Sequence, residues 1–145
     1  MNSPPPRTIH HHGNLRSVAG LRAGAAVVEM AIVLPILMIV VFGTLEVCER
    51  MMLRQSATVA AYESVRLAAR RTVTADRSIN RGLSILEGRN IENAQIRLRP
   101  ASLQNVASGE EIRVEALVPV RGNTAISYVL PNSGVIRVFA TMLRE

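Results

Sequence analysis

Glu29 stands where a charge is expensive. It follows Gly24 by five residues, in the stretch Gly24-Ala25-Ala26-Val27-Val28-Glu29-Met30, and Ala31 to Leu45 after it carry no charge. A carboxylate at the mouth of a membrane-length apolar run costs free energy, so a function that needs it is the natural reason for its presence. Its charge suits the positive end of a helix. Arg7, Arg16 and Arg22 precede it with no acid among them.

Other reactive groups are scarce. The three histidines, His10, His11 and His12, form one tract before Gly24, which reads as a solvated tail rather than a metal site. Beyond Gly24 the chain has no His and no Lys, and so lacks the usual general base and amine nucleophile. Glu110 and Glu111 are adjacent on an expected strand and point to opposite faces, so they form no catalytic pair. No Gly-rich phosphate loop and no metal-ligand spacing occurs. We therefore expect no enzyme, no cofactor, no metal and no small-molecule substrate. Cys48 is the single cysteine, so no intramolecular disulfide is possible. It reads as a small hydrophobe, with an intermolecular disulfide or lipidation left open.

The formal charge is +6, carried by 17 arginines and no lysine against 11 acids. Cutting after Gly24 removes three arginines and no acid, leaving +3. There is no basic stripe with interleaved aromatics; the only aromatics are Phe42, Tyr62, Tyr128 and Phe139. Nucleic acid is not an expected partner.

The elements that position Glu29 follow from the apolar run. Ala25 to Leu45 would span about 31 Å as a helix, enough to cross a bilayer. The arginines before it should keep the N-terminus cytoplasmic and place the rest outside. A secretory signal peptide fits less well. The uncharged core from Met30 to Leu45 exceeds the usual h-region, and the best small-residue cleavage site, around Ala57 to Ala61, lies too far downstream. Pro35 removes one backbone hydrogen bond, to Ala31, and should bend or loosen the helix. Gly43 offers a second point of close approach.

No helix breaker occurs between Leu45 and Arg71, so the helix should continue to about residue 71. Glu46 and Arg50 are four apart in the favourable order. Leu53, Ala57, Ala60, Ala61, Ser64 and Ala68 form a mostly small stripe suited to close packing, opposite Gln55, Tyr62, Arg66 and Arg70. A shorter helix should cover Asp76 to Leu86 and end near Gly88. The period then changes to two. Ala94 to Arg99, Glu111 to Val120 and Arg137 to Met142 read as three antiparallel strands, with a short extra strand open at Ser127 to Leu130. The expected fold is α+β: a long membrane-spanning helix extending outward, a short helix and a small antiparallel sheet, one face on the helix. The expected divisions are a basic leader (1–24), a transmembrane segment (25–45), a helix extension (46–72) and a small extracytoplasmic domain (73–145).

From Ala23 to Met52 the chain resembles the TadE-like family of minor pilins, or pseudopilins, of the tight-adherence (Flp-type) pilus system. The Gly24–Glu29 pair, Leu34-Pro35, Gly43 and Glu46 carry the resemblance, and Phe139 to Glu145 is similar to how such chains close. Met30 and Cys48-Glu49 depart from the family's preferences. The resemblance implies cleavage by a prepilin peptidase between Gly24 and Ala25, then a part in pilus assembly from the inner membrane. Cleavage would leave a new amine on Ala25, one helical turn from Glu29. A neighbouring subunit's Ala25 amine could instead pair with Glu29 and fix axial register. The implied partners are the peptidase, other pilin-like subunits, pilus-assembly membrane proteins and the lipid bilayer. Two alternatives stay open: an uncleaved single-pass scaffold of another envelope complex, and a pseudopilin of a type II secretion system.

Overall fold

The computed structural model describes residues 15–145, with side chains from residue 24 onward. Arg7 and the histidine tract lie outside the described residues, and the side chains of Arg16 and Arg22 lie outside them as well. The elements are α1 (Leu15–Ala68), α2 (Ala75–Glu87), β1 (Gln95–Arg99), β2 (Glu111–Pro119) and β3 (Val135–Leu143). The chain divides into two compact units, one ending at Met38 and one running Ile39–Glu145.

In the first unit, residues 24–38 are helical and exposed throughout. Pro35 sits inside α1 without ending it. α1 begins at Leu15, ahead of the apolar run, in a stretch to Gly24 that contains no proline.

In the second unit, the small stripe of α1 is the floor of the core. Ala57, Ala60, Ala61, Val65 and Ala68 are completely buried in one cluster with Leu86 of α2, Ile96 and Leu98 of β1, and Ile112, Val114, Ala116 and Val118 of β2. Each methyl-sized side chain lets the helix axis come close to the sheet, and the larger strand residues fill the space above it. Gln55, Tyr62 and Arg66 are exposed on the other side of α1, as their spacing requires, and Arg70 just past its end is exposed too.

α1 stops at Ala68, short of the expected residue 71. Arg144 supplies the reason: its guanidinium donates to the carbonyls of Ala68 and Arg71, while the Glu145 backbone N–H donates to Ala69. A buried cation on the last carbonyls caps the helix and suits the negative end of its dipole.

α2 is capped by Thr74, whose hydroxyl accepts from the Arg77 N–H at 3.4 Å, and Asp76 occupies its first turn. It runs one residue beyond the expected limits at each end. Ser78, Gly82 and Leu86 form its buried line, with Ile79 and Leu83 packed at the margin. Gly82 is needed for the approach to α1: a Cβ there would collide with Ser64 Oγ and stand 3.1 Å from Ile96 Cγ1. Ser78 Oγ donates to the Ser64 carbonyl at 2.7 Å, tying the two helices together.

The sheet is an antiparallel meander in the order β1-β2-β3. Ile96 faces Ala116 and Leu98 faces Val114; Val114 in turn faces Ala140, and Val118 faces Ile136. Two details differ from the sequence reading. Glu110 lies before β2, where its carboxylate accepts from the Ala107 N–H at 3.0 Å in a turn. Ser127 to Leu130 is not a strand, because side chains of α1 take its backbone donors.

Candidate functional site

Two groups of residues stand out. In the first unit, Gly24, Ala25 and Glu29 are exposed on α1, and a Cβ on Gly24 would meet nothing within 4 Å. Ala25 and Glu29 share a helix face, one turn apart. Among the described residues, neither Glu29 nor Gly24 is gathered to any other side chain of this chain. An exposed carboxylate on an apolar helix is free to meet a group from another molecule, and the helix is the element that presents it. Val27, Ile32, Leu34 and Leu37 around it are exposed as well. Among the described residues, α1 is the one helix long and apolar enough to cross a membrane.

The second group was missed in the sequence. Glu46, 1% exposed, turns its carboxylate onto the loop at residues 125–131. One oxygen accepts from the Tyr128 N–H and, at 2.7 Å, from Val129; the other accepts from Leu130 at 2.7 Å. One turn on, Glu49 accepts from Ala125 at 3.3 Å and Ile126 at 3.2 Å. Arg50 donates to the Pro131 carbonyl at 2.7 Å. The expected Glu46–Arg50 ion pair is absent among the described residues; both side chains serve the loop instead. Burial pushes the Glu46 carboxyl up. The N–H groups of Val129, Leu130 and Tyr128, with Arg50 nearby, outweigh that and hold it below its ordinary 4.5. Phe42 and Tyr128 complete the contact, with ring centroids 6.0 Å apart and planes inclined at 57°. Gly43 faces Val129, whose methyls lie 3.9 Å from where a Cβ would stand. The signal for this clasp was two acids, three residues apart at the end of an apolar run, together with a distant uncharged loop. Nothing in the sequence joins the two.

Cys48 is exposed and unpaired. The described residues contain no group of three or more His, Cys, Asp or Glu able to hold a metal ion.

A helix that presents a carboxylate from an apolar surface and then packs into a small α+β domain suits a membrane-anchored structural subunit. The family model for TadE-like proteins matches residues 24–66, from Gly24 through Glu29, Pro35 and Glu46 to the packed part of α1. That match covers 43 of the chain's 145 residues. The family is the one that the Gly24–Glu29 pair, Leu34-Pro35, Gly43 and Glu46 suggested. No curated protein and no solved structure matches the chain.

Proposed function

We propose that this chain is a membrane-anchored minor pilin or pseudopilin that takes part in assembling a tight-adherence pilus after a prepilin peptidase cuts between Gly24 and Ala25. The observation that carries the reading is the TadE-like match beginning at Gly24, on a helix whose next 21 residues hold one charge, Glu29. Residues 25–45 would cross the inner membrane once, with the arginine-bearing N-terminus cytoplasmic and the sheet domain outside. After cleavage the Ala25 amine of one subunit pairs with Glu29 of the next. That pairing offsets the burial of both charges and sets the axial step. Other pilin-like subunits and pilus-assembly membrane proteins are the partners.

The position of Gly24 inside α1 adds a requirement. A peptidase binds extended backbone, so the helix must open there, and glycine lowers the cost by about 1 kcal/mol relative to alanine. The same continuous helix also suits an uncleaved scaffold, and the state of the N-terminus decides between the two readings.

The test is the mass of the membrane-extracted protein. A mature chain starting at Ala25, and loss of cleavage in Gly24→Leu, are the expected results; an intact leader on the mature protein overturns the reading in favour of the scaffold. Glu29→Leu should insert well, since a central acid costs about 2.5–3.5 kcal/mol on insertion scales and this one still costs something near the helix start. It should abolish co-purification with pilin-like subunits, and Glu29→Asp should weaken it. Unchanged piliation in Glu29→Leu removes the pairing role.

A further inference from the structure

The loop clasped by Glu46 has a composition unlike that of a loop in water. Residues 122–136 carry no charge, and Tyr128 and Val129 at its tip are 83% and 49% exposed. The backbone of a water-facing loop can be served by solvent. Here the N–H groups of Ala125, Ile126, Tyr128, Val129 and Leu130 are taken by Glu49 and Glu46, and the carbonyl of Pro131 by Arg50. Proline itself has no N–H to satisfy. Internal satisfaction of backbone donors is what a low-dielectric surrounding demands. The loop is also fixed to one level of α1. Tyr128 stacks at a tilt against Phe42 and Val129 lies against Gly43, both of them in the uncharged run.

We propose that the loop 125–131 is a second membrane contact, resting in the outer interfacial layer of the bilayer beside the point where α1 leaves it. Tyr128 places its ring at the level of the acyl-chain boundary and its hydroxyl toward the headgroups, the arrangement in which tyrosine is enriched at membrane interfaces. Val129 adds apolar area on the same side. Val47 and Met51, 46% and 61% exposed, continue an apolar surface along α1. Arg50, Arg54 and Arg137 line a groove with them, at a level where lipid phosphates would be met. The bilayer is the occupant because the loop is continuous with the helix segment that enters it. This inference rests on the membrane span proposed above.

The absence of tryptophan from the chain makes the test direct. Single-tryptophan versions of the full chain, Tyr128→Trp, Phe42→Trp and Tyr62→Trp, are placed in phosphatidylcholine vesicles whose acyl chains are brominated near the headgroup. Tyr62 lies 51% exposed on the packed part of α1 and reports the aqueous level. Phe42→Trp and Tyr128→Trp should both be quenched, Tyr128→Trp at least about two-fold more than Tyr62→Trp, as burial of an interfacial aromatic in lipid requires. Quenching of Phe42→Trp without Tyr128→Trp would overturn the loop contact and leave the span intact, with the loop facing water or a protein. Quenching of neither would overturn the span and the loop contact together. Tyr128 is exposed enough that tryptophan replaces it without repacking.

Discussion

Between residues 27 and 41, α1 carries Val27, Ile32, Leu34, Leu37 and Ile39 on its surface, all more than half exposed; between 57 and 68 its inward residues are Ala57, Ala60, Ala61, Ser64, Val65 and Ala68, all completely buried and all but Val65 no larger than serine. The same helix thus puts large apolar side chains outside in one stretch and mostly small ones inside in the other. The comparison separates two properties that hydropathy alone merges. Large exposed aliphatics suit a helix whose solvent is lipid, where bulk is free and only charge is penalised. Small buried residues suit a helix that a sheet must approach closely, where every added methylene has to find room. Between the two lies Glu46, an acid in neither regime, whose carboxylate is used up by backbone donors.

The sharpest way to break this comparison is to make one substitution in both places. Ala31→Leu lies on the exposed stretch and should leave folding and extraction unchanged. Ala57→Leu and Ala61→Leu, one helical turn apart in the core, should each cost about 1–3 kcal/mol by overpacking. Combined, they should consume much of the roughly 5–15 kcal/mol that holds a small domain together. Protease susceptibility of residues 46–145 is the measurement. A domain that tolerates Ala57→Leu with Ala61→Leu would show that the close approach of α1 to the sheet is not what stabilises it.

A second contrast lies within the packed part, at the crossing of α1 and α2. Gly82→Ala should destabilise the domain by about 1–3 kcal/mol, because the new Cβ meets Ser64 Oγ and crowds Ile96. Ser64 Oγ is buried and has no hydrogen-bond partner among the described residues, so Ser64→Ala alone should change stability by no more than about 0.5 kcal/mol. It should also rescue part of the Gly82→Ala loss, since it removes the atom in the way. Equal losses in Gly82→Ala with and without Ser64→Ala, by thermal or denaturant melts, would place the strain at Ile96 instead.

The sequence made the first kind of feature legible and the second kind illegible. The apolar run is contiguous, and the small stripe and the alternation of Ile112, Val114, Ala116 and Val118 are periodic; both kinds of pattern survive in one dimension. The three-stranded sheet and its packing on the helix followed from it. The end of α1 did not, because Arg144 and Glu145 come back to it from more than seventy residues away. The loop at 127–130 read as a short strand for the same reason: Ser127, Tyr128, Val129 and Leu130 have strand-like composition, and the competing acceptor, Glu46, is more than eighty residues upstream. Glu46 itself looked like half of an ordinary helical ion pair with Arg50. A local explanation was available, and it concealed the long-range one. Gly24 and Glu29 stand out in the sequence because their spacing is local; the clasp does not.

The smallest effect on the whole domain, and the most specific, belongs to that clasp. The Glu46 carboxyl is held below 4.5 in the folded state, so it contributes stability at pH values above its unfolded value and loses it as pH falls through the folded one. From neutral pH down to about 5 the loop should stay closed. As pH falls through that lowered folded value, protonation removes the acceptor charge and leaves one oxygen as a hydroxyl, which cannot accept as well from Tyr128, Val129 and Leu130. Protection of those three amides against hydrogen exchange, relative to their intrinsic rates, should therefore fall in acid while the β2 amides stay protected, since the core at Ile112, Val114 and Val118 does not depend on the clasp. Glu46→Gln keeps the size but presents an amide nitrogen, a donor, to backbone donors. It should expose the same three amides at neutral pH and abolish their acid dependence. Slow exchange at Tyr128 to Leu130 in Glu46→Gln would mean that the loop is held by Phe42 and Gly43 alone, and that the acid between the two halves of the helix is dispensable.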